Sequence, residues 1–247
     1  PAQPKVAIIE LDKRDDKKGD PQLYKITESG EKEIKSGKTS EWGQFLRYNY
    51  LKFDFTDVKE EGLYQVKYGN SYSSVFRISK DVYDRGAWQP VLEYFLPVQM
   101  CHMRVNEKYR VWHGCCHMDD ARMAPVDFNH IDGYEQGPST LTKYQTGDIV
   151  PGLNIGGWHD AGDFDLRVES QAGETYILAL AYEAFKVEYD ATSIDQISRI
   201  TEIHQPDGKA DLLQQVENGA LSVVGAYRSL GRLYRGIICN DLRQSVL

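Results

Sequence analysis

The chain of 247 residues is 41% hydrophobic and 27% charged, with no apolar run long enough to cross a bilayer. Its formal net charge of −8 argues against nucleic acid as a partner, because a phosphate backbone is met by a basic surface. The length suits one large or two modest domains, each able to bury a substantial core.

The chain opens at Pro1 without Met and without a visible signal peptide, so its N-terminus is expected to be processed or trimmed. Residues 5–79 then alternate in short runs typical of strands: Val6 to Ile9, Gln22 to Ile26, Leu46 to Phe55, Tyr64 to Tyr68, and Ser74 to Ile78. Turn-forming clusters separate them at Asp15 to Pro21, Ser36-Gly37, Glu60 to Gly62, and Gly69-Asn70, the last a good hairpin turn. Leu51, Phe53 and Phe55 alternate with Lys52 and Asp54, as in a half-buried strand. About 80 residues of such strands, with Gly62 to Val66 reading as a late one, predict an all-β immunoglobulin-like sandwich over residues 1–80.

From Trp88 onward the period becomes helical. Val91, Tyr94, Phe95 and Val98 share one face, with Pro97 expected to kink that helix. A second helix is predicted from about Gln171 to Val187, with Ala172, Tyr176, Ile177, Leu180 and Ala184 on one face. A third starts near Lys209 and buries Leu212, Leu213, Val216, Val223 and Tyr227, continuing past Gly231 or breaking there. Between the first two lies a long irregular stretch, Asp119 to Asn154, of a length that is usually functional or disordered. Residues 81–247 are therefore expected to form a second, mainly helical region.

Within that region stands Gly156-Gly157-Trp158-His159-Asp160-Ala161-Gly162-Asp163. It sets two carboxylates three residues apart in a Gly-rich, non-helical turn, where glycine opens backbone conformations closed to other residues. Two carboxylates aimed at one point suit the activation of a water: one accepts its proton, the other holds its orientation. A bare Asp-x-x-Asp is more often a solvated turn, but the octapeptide is far more specific. It resembles the signature of the family 9 glycoside hydrolases, the inverting endoglucanases with an (α/α)6 barrel. A β-sandwich followed by amphipathic helices is also the order of those members that carry an N-terminal immunoglobulin-like domain, and the resemblance implies that residues 81–247 are all-α.

The four cysteines, Cys101, Cys115, Cys116 and Cys239, offer a second signal. Two thiolates and two imidazoles make a suitable tetrahedral set for a closed zinc site. The spacing C-x14-C-H-x41-H is not that of a zinc finger, and neighbouring extracytoplasmic cysteines are more often disulfide partners. The resemblance adds weight. Immunoglobulin-bearing members of the family hold a structural zinc through a Cys, a later Cys-His pair and the His before Asp-Ala-Gly-Asp, which match Cys101, Cys116, His117 and His159. Cys115 and Cys239 are expected to be buried free thiols. Calcium stays unassigned, since the acidic loops Asp12 to Asp20 and Asp119-Asp120 lack the ordered spacing of a calcium site.

The resemblance implies inverting hydrolysis of a β-1,4-linked glucan, whether cellulose-like, mixed-linkage or xyloglucan, with Asp163 as general base and Asp160 as its partner on the water. The general acid, a Glu near the far end of the barrel, is expected beyond Leu247. Twelve helices close such a barrel and residues 81–247 offer about four, so the chain reads as the N-terminal portion of a longer enzyme, or as one that associates with the missing half. After Asp163 the family continues with an aromatic or His, a further residue, Lys and an aromatic; here the run is Phe164-Asp165-Leu166-Arg167. Trp158 and Trp112 are divided between core and sugar subsite, and Phe128, His130, Tyr134 and Tyr144 either stack on a ring or anchor their loop. A polymeric substrate places the enzyme in a secreted, periplasmic or cell-surface setting. Two other readings stand beside this one: a non-catalytic carbohydrate-binding or structural fragment, and an exo-acting, glucosaminidase-like glycosidase of the same family.

Overall fold

Eight strands form over the first 87 residues: β1 Val6–Asp12, β2 Gln22–Thr27, β3 Gly30–Ser36, β4 Ser40–Phe45, β5 Tyr48–Asp54, β6 Gly62–Tyr68, β7 Ser71–Tyr72 and β8 Phe76–Ile78. They are seen in a computed structural model that describes residues 1–119, 121–129, 133, 135, 137, 141–160 and 165–238. Two antiparallel sheets form, ordered β1-β5-β4 and β3-β2-β6-β7, with β8 pairing on β6. In β5, Leu51 and Phe53 turn inward while Lys52 and Asp54 face out. Phe53 and Phe55 meet Leu23, Tyr64, Val66 and Ile78 from the other sheet in one buried cluster, so the sheets stack face to face as a sandwich.

Gly69-Asn70 joins β6 to β7 as expected, with Gly69 at φ 58°. Strands β3 and β4 were not anticipated. Both lie at sheet edges, and β4 is exposed throughout, so neither carries the alternating apolar residues that mark a half-buried strand.

The chain divides between Ala87 and Trp88 into two compact units. In the second unit, a π-helical turn at Val91–Phe95 runs into the short helix α1, Leu96–Gln99. Pro97 has no N–H to give to residue 93, which interrupts the ordinary i→i−4 ladder where the two segments meet. Here Leu92 and Pro97 are buried, whereas Val91 and Phe95 of the expected apolar face are exposed.

The rest of this unit is not purely helical, which corrects the all-α expectation. Strands β9 Arg104–Glu107, β10 Arg110–His113, β12 Thr192–Asp195 and β13 Ile200–Ile203 form a mixed sheet ordered β10-β9-β13-β12, with β9 and β13 parallel. A two-residue pair joins β11 Leu166–Arg167 to β14 Gly236–Ile237. Helices α2 Val168–Phe185 and α3 Asp211–Leu230 pack on each other. Among the described residues, α1 to α3 are the α-helices of the unit.

Both long helices present faces other than those expected. On α2 the buried residues are Val168 and Gln171, while Tyr176 and Ile177 are 67% and 64% exposed. On α3 the buried stripe is Asp211, Gln214, Gln215, Asn218, Gly219, Ser222 and Ala226. Of the residues predicted to be buried there, only Leu212 is fully so, and Tyr227 is 59% exposed. The helix stops at Gly231, whose φ of 69° supplies the left-handed C-cap.

Asp211 begins α3, and its carboxylate accepts the N–H groups of Ala191 at 3.1 Å and Thr192 at 3.1 Å, tying the helix to the start of β12. Burial outweighs those donors and pushes its pKa up to about 7. The long loop after Asp119 is stitched at its ends: Met123 N–H donates to the Asp148 carbonyl at 2.9 Å and Val150 N–H to that of Ala121 at 2.8 Å. Ala121, Val150 and Leu153 thereby join a core with Cys101, Leu166, Ala226 and Ile237. Cys115 is exposed, contrary to the buried thiol expected, because it sits in the segment leaving β10; Cys239 lies outside the described residues.

Candidate active site and metal centre

The Gly-Gly-Trp-His-Asp segment has little regular structure of its own, so its backbone groups must find partners elsewhere. The Gly157 carbonyl accepts Cys101 N–H at 2.8 Å and Asn218 Nδ2 at 3.0 Å, and Gly157 N–H donates to the Asn218 carbonyl at 3.0 Å. Gln171 closes a reciprocal pair with Trp158: its Oε1 accepts the Trp158 N–H at 2.8 Å, and its Nε2 donates to the Trp158 carbonyl at 3.0 Å. Trp158 Nε1 donates to Gln215 Oε1 at 2.8 Å, and His159 N–H to the Gln99 carbonyl at 2.9 Å. Gln171 of α2 and the polar stripe of α3 are therefore a socket for this turn.

Gly156 and Gly157 take φ of 68° and 84°. A Cβ on Gly156 would overlap the Asn218 carbonyl oxygen, so glycine is required here by both conformation and space. Gly156→Ala is expected to destabilise the unit by at least about 3 kcal/mol, from left-handed strain plus overpacking. A urea-denaturation midpoint within error of the parent would remove this argument.

His102 supports the same turn from behind. It is buried at a φ of 61°, and its Nδ1 lies 2.7 Å from the Gly156 carbonyl. Burial lowers its pKa to about 4, which keeps the ring neutral with Nδ1–H as the donor.

The four residues predicted as metal ligands converge. Cys101 follows α1, Cys116 and His117 follow β10, and His159 lies in the turn. Their ligand atoms all fall within 4.8 Å of one another. Cys101 Sγ is 3.3 Å from Cys116 Sγ and 2.9 Å from His117 Nδ1, and Cys116 Sγ is 2.9 Å from His159 Nε2. Around one zinc, with Zn–S about 2.3 Å and Zn–N about 2.0–2.1 Å, tetrahedral ligand atoms stand about 3.3–3.8 Å apart. The set is thus on the scale of a single ion. Hydrogen bonding to Cys101, then to His117 and His159, holds the Cys116 thiol far below its ordinary range, as a metal-binding thiolate requires. Two soft sulfurs with two imidazoles fit a metal ion of the zinc type.

Asp160 follows directly, its side chain 32% exposed. Its N–H donates to the Asp165 carbonyl at 2.8 Å. Arg167 Nε lies 3.4 Å from Asp160 Oδ2, and Arg167 Nη2 lies 3.5 Å from Oδ2 of the fully buried Asp165. On α2, desolvation and then the Asp160 charge raise the pKa of Glu174 above the carboxylate norm, so this residue belongs to the same surroundings. Asp163 and Tyr134 lie outside the described residues, as does His130.

The aromatic candidates divide. Trp158 is 2% exposed and sits in the core with Met100, Met103, Val105, Ile194 and Ile203, so it offers no open face to a sugar. Trp112 is half-buried beside that core, with the Arg110 guanidinium 3.8 Å from its ring centroid. Tyr144 packs on the core of the long loop. Phe128 lines an open groove of about 900 Å³ together with Arg122, Met123, Leu233 and Tyr234.

No family model matches the chain. Over 177 residues it is 26% identical to "Endoglucanase D" of Acetivibrio thermocellus, a match that covers 70% of this chain and 25% of that relative. Among solved structures it is similar to a Zn-binding triple mutant of the GH family 9 endoglucanase J30, with TM-score 0.68, 22% identity, and coverage of 94% of this chain and 40% of the other. A Bacteroides ovatus GH9 protein superposes with TM-score 0.62 at 18% identity, over 91% of this chain and 37% of that one. The chain has the fold of the N-terminal portion of family 9 glycoside hydrolases. It spans about a quarter of the length of the curated relative and about 40% of the J30 chain. Among the described residues no helix is long and apolar enough to cross a membrane.

Sequence reasoning missed Gln171, Gln215, Asn218, His102 and Arg167. A signal was present for two of them, Gln215 and Asn218. Gln214, Gln215, Asn218 and Ser222 recur at helical spacing with Gly219, a polar stripe that a search for apolar periodicity passes over.

Proposed function

We propose that this chain is the water-side portion of an inverting β-1,4-glucanase, with Asp163 as general base and Asp160 holding the attacking water. The observation that carries the reading is the turn at residues 156–160, fixed from four directions and ending on a carboxylate beside a Cys2His2 cluster. Such fixing suits a group that must meet a water at one angle. The substrate is a cellulose-like, mixed-linkage or xyloglucan chain, met outside the cell, at its surface or in the periplasm.

On this reading the first unit is immunoglobulin-like, and the second contributes the first helices of an (α/α)6 barrel. The apolar face of α2, with Tyr176, Ile177 and Leu180 open, is what further barrel helices would cover. The general acid is a Glu beyond Leu247, set about 6.5–9.5 Å from the base to leave room for the water. Cys101, Cys116, His117 and His159 would hold a zinc ion. Its contribution is structural, since four protein ligands leave no open position for substrate.

Inversion is directly observable. The first product released from a defined β-1,4-oligosaccharide should be the α-anomer, read by proton NMR before mutarotation. A β-anomer would replace this mechanism with a retaining one. Binding without cleavage would favour the non-catalytic reading, and single-residue release from one end the exo-acting one.

A further inference from the structure

We propose that Arg167 is a positioning residue for Asp160, bracing that carboxylate against the buried Asp165. The inference rests on the glucanase reading above and deepens it.

Arg167 is itself firmly placed. Its backbone lies in the β11–β14 pair, opposite Gly236, and it is the N-cap residue of α2. Val168 N–H donates to the Arg235 carbonyl at 3.0 Å, and a Cβ on Gly236 would overlap the Leu166 carbonyl, so the two short strands are in close contact. From this base the Nε/Nη2 edge of the guanidinium lies within ion-pair distance of two acids, with Nε at 3.4 Å from Asp160 Oδ2 and Nη2 at 3.5 Å from Asp165 Oδ2. A planar fork of five donors can serve two carboxylates at once in a fixed relation, which a single ammonium cannot.

Asp165 has no exposed surface, so its carboxylate cannot turn to solvent and gives the guanidinium an immobile anchor. Asp160 is then tied to Asp165 twice, through its backbone N–H at 2.8 Å and through the arginine bridge. The side chain that is to orient a water is thus itself oriented by residues that need not touch the substrate.

The test uses the longest native polypeptide that contains this sequence, assayed on a soluble β-glucan. Arg167→Ala should lower kcat by about 10- to 100-fold, the scale of a small misplacement, while KM stays near the parent value. Millimolar guanidinium should restore much of the lost kcat, and equal concentrations of urea or sodium chloride should not, a response that general loosening of the fold cannot give. Unchanged kcat in Arg167→Ala, or rescue by urea as effective as by guanidinium, would overturn the proposal. Should Arg167→Ala not fold, Arg167→Lys keeps the charge, and the expected result is a reduced kcat at unchanged KM. Full activity of Arg167→Lys would equally overturn the two-armed brace. Asp163→Asn assayed in parallel separates the levels: if it hydrolyses normally the glucanase reading itself fails, whereas an inactive Asp163→Asn beside a fully active Arg167→Ala removes only this inference.

Discussion

On the proposed reading, Asp163→Asn is expected to abolish hydrolysis of soluble β-glucans, with kcat falling about 10²- to 10⁴-fold, the usual contribution of a general base. The amide cannot accept the water's proton but keeps nearly the same volume, so the melting temperature should stay close to the parent's. Asp160→Asn should cost less, because in the proposed mechanism Asp160 orients the water without taking its proton. A steady-state assay beside a thermal melt decides the matter: activity retained in a folded Asp163→Asn would sink the assignment. Loss of activity with unfolding would be read against Asp163→Glu, which should fold and stay impaired because its carboxylate is carried one methylene too far.

Stripping the metal from Cys101, Cys116, His117 and His159 should be the largest structural perturbation available. These ligands come from three separated stretches, and one of them adjoins Asp160. Bound metal at about a thousand times its dissociation constant stabilises the fold by about 4 kcal/mol. Its removal should therefore lower the melting temperature by roughly 8–16 °C in a unit of this size. Elemental analysis should find about one zinc per chain, and Cys116→Ala should both lose it and reproduce the melting shift. A chain purified without metal, whose melting is indifferent to chelator and to added zinc, would leave the cluster as hydrogen-bonded thiols and imidazoles.

The chemistry of the site was easier to read in the sequence than its support. The four ligands could be named because Cys and His are scarce and their spacing matched a family pattern, and they do converge. The sandwich core was legible because Leu51, Phe53 and Phe55 alternate with charged residues. Edge strands β3 and β4 were not, since exposure on both faces removes the alternation. The helices failed more instructively. Their existence was plain from periodicity, but the apolar face expected on α2 is open, that on α3 is only partly covered, and the hidden stripe of α3 is mostly amide, hydroxyl and glycine. That inversion follows from what the helices hold: a turn rich in unpaired backbone groups needs polar partners, and hydrophobic periodicity carries no record of them.

The distances along the chain between those partners bear on how the protein reaches its native state. Trp158 and Gln215 stand 57 residues apart, Gly157 and Asn218 stand 61 apart, and Cys116 and His159 stand 43 apart. Each such closure costs chain entropy before its bond is gained, so contacts of this range tend to form after the local helices and hairpins. The turn around Asp160 is therefore expected to take its native shape only once α3 has docked. The candidate site is then a late product of folding, and a partly folded chain would be rich in helix and sheet while this turn is still unformed.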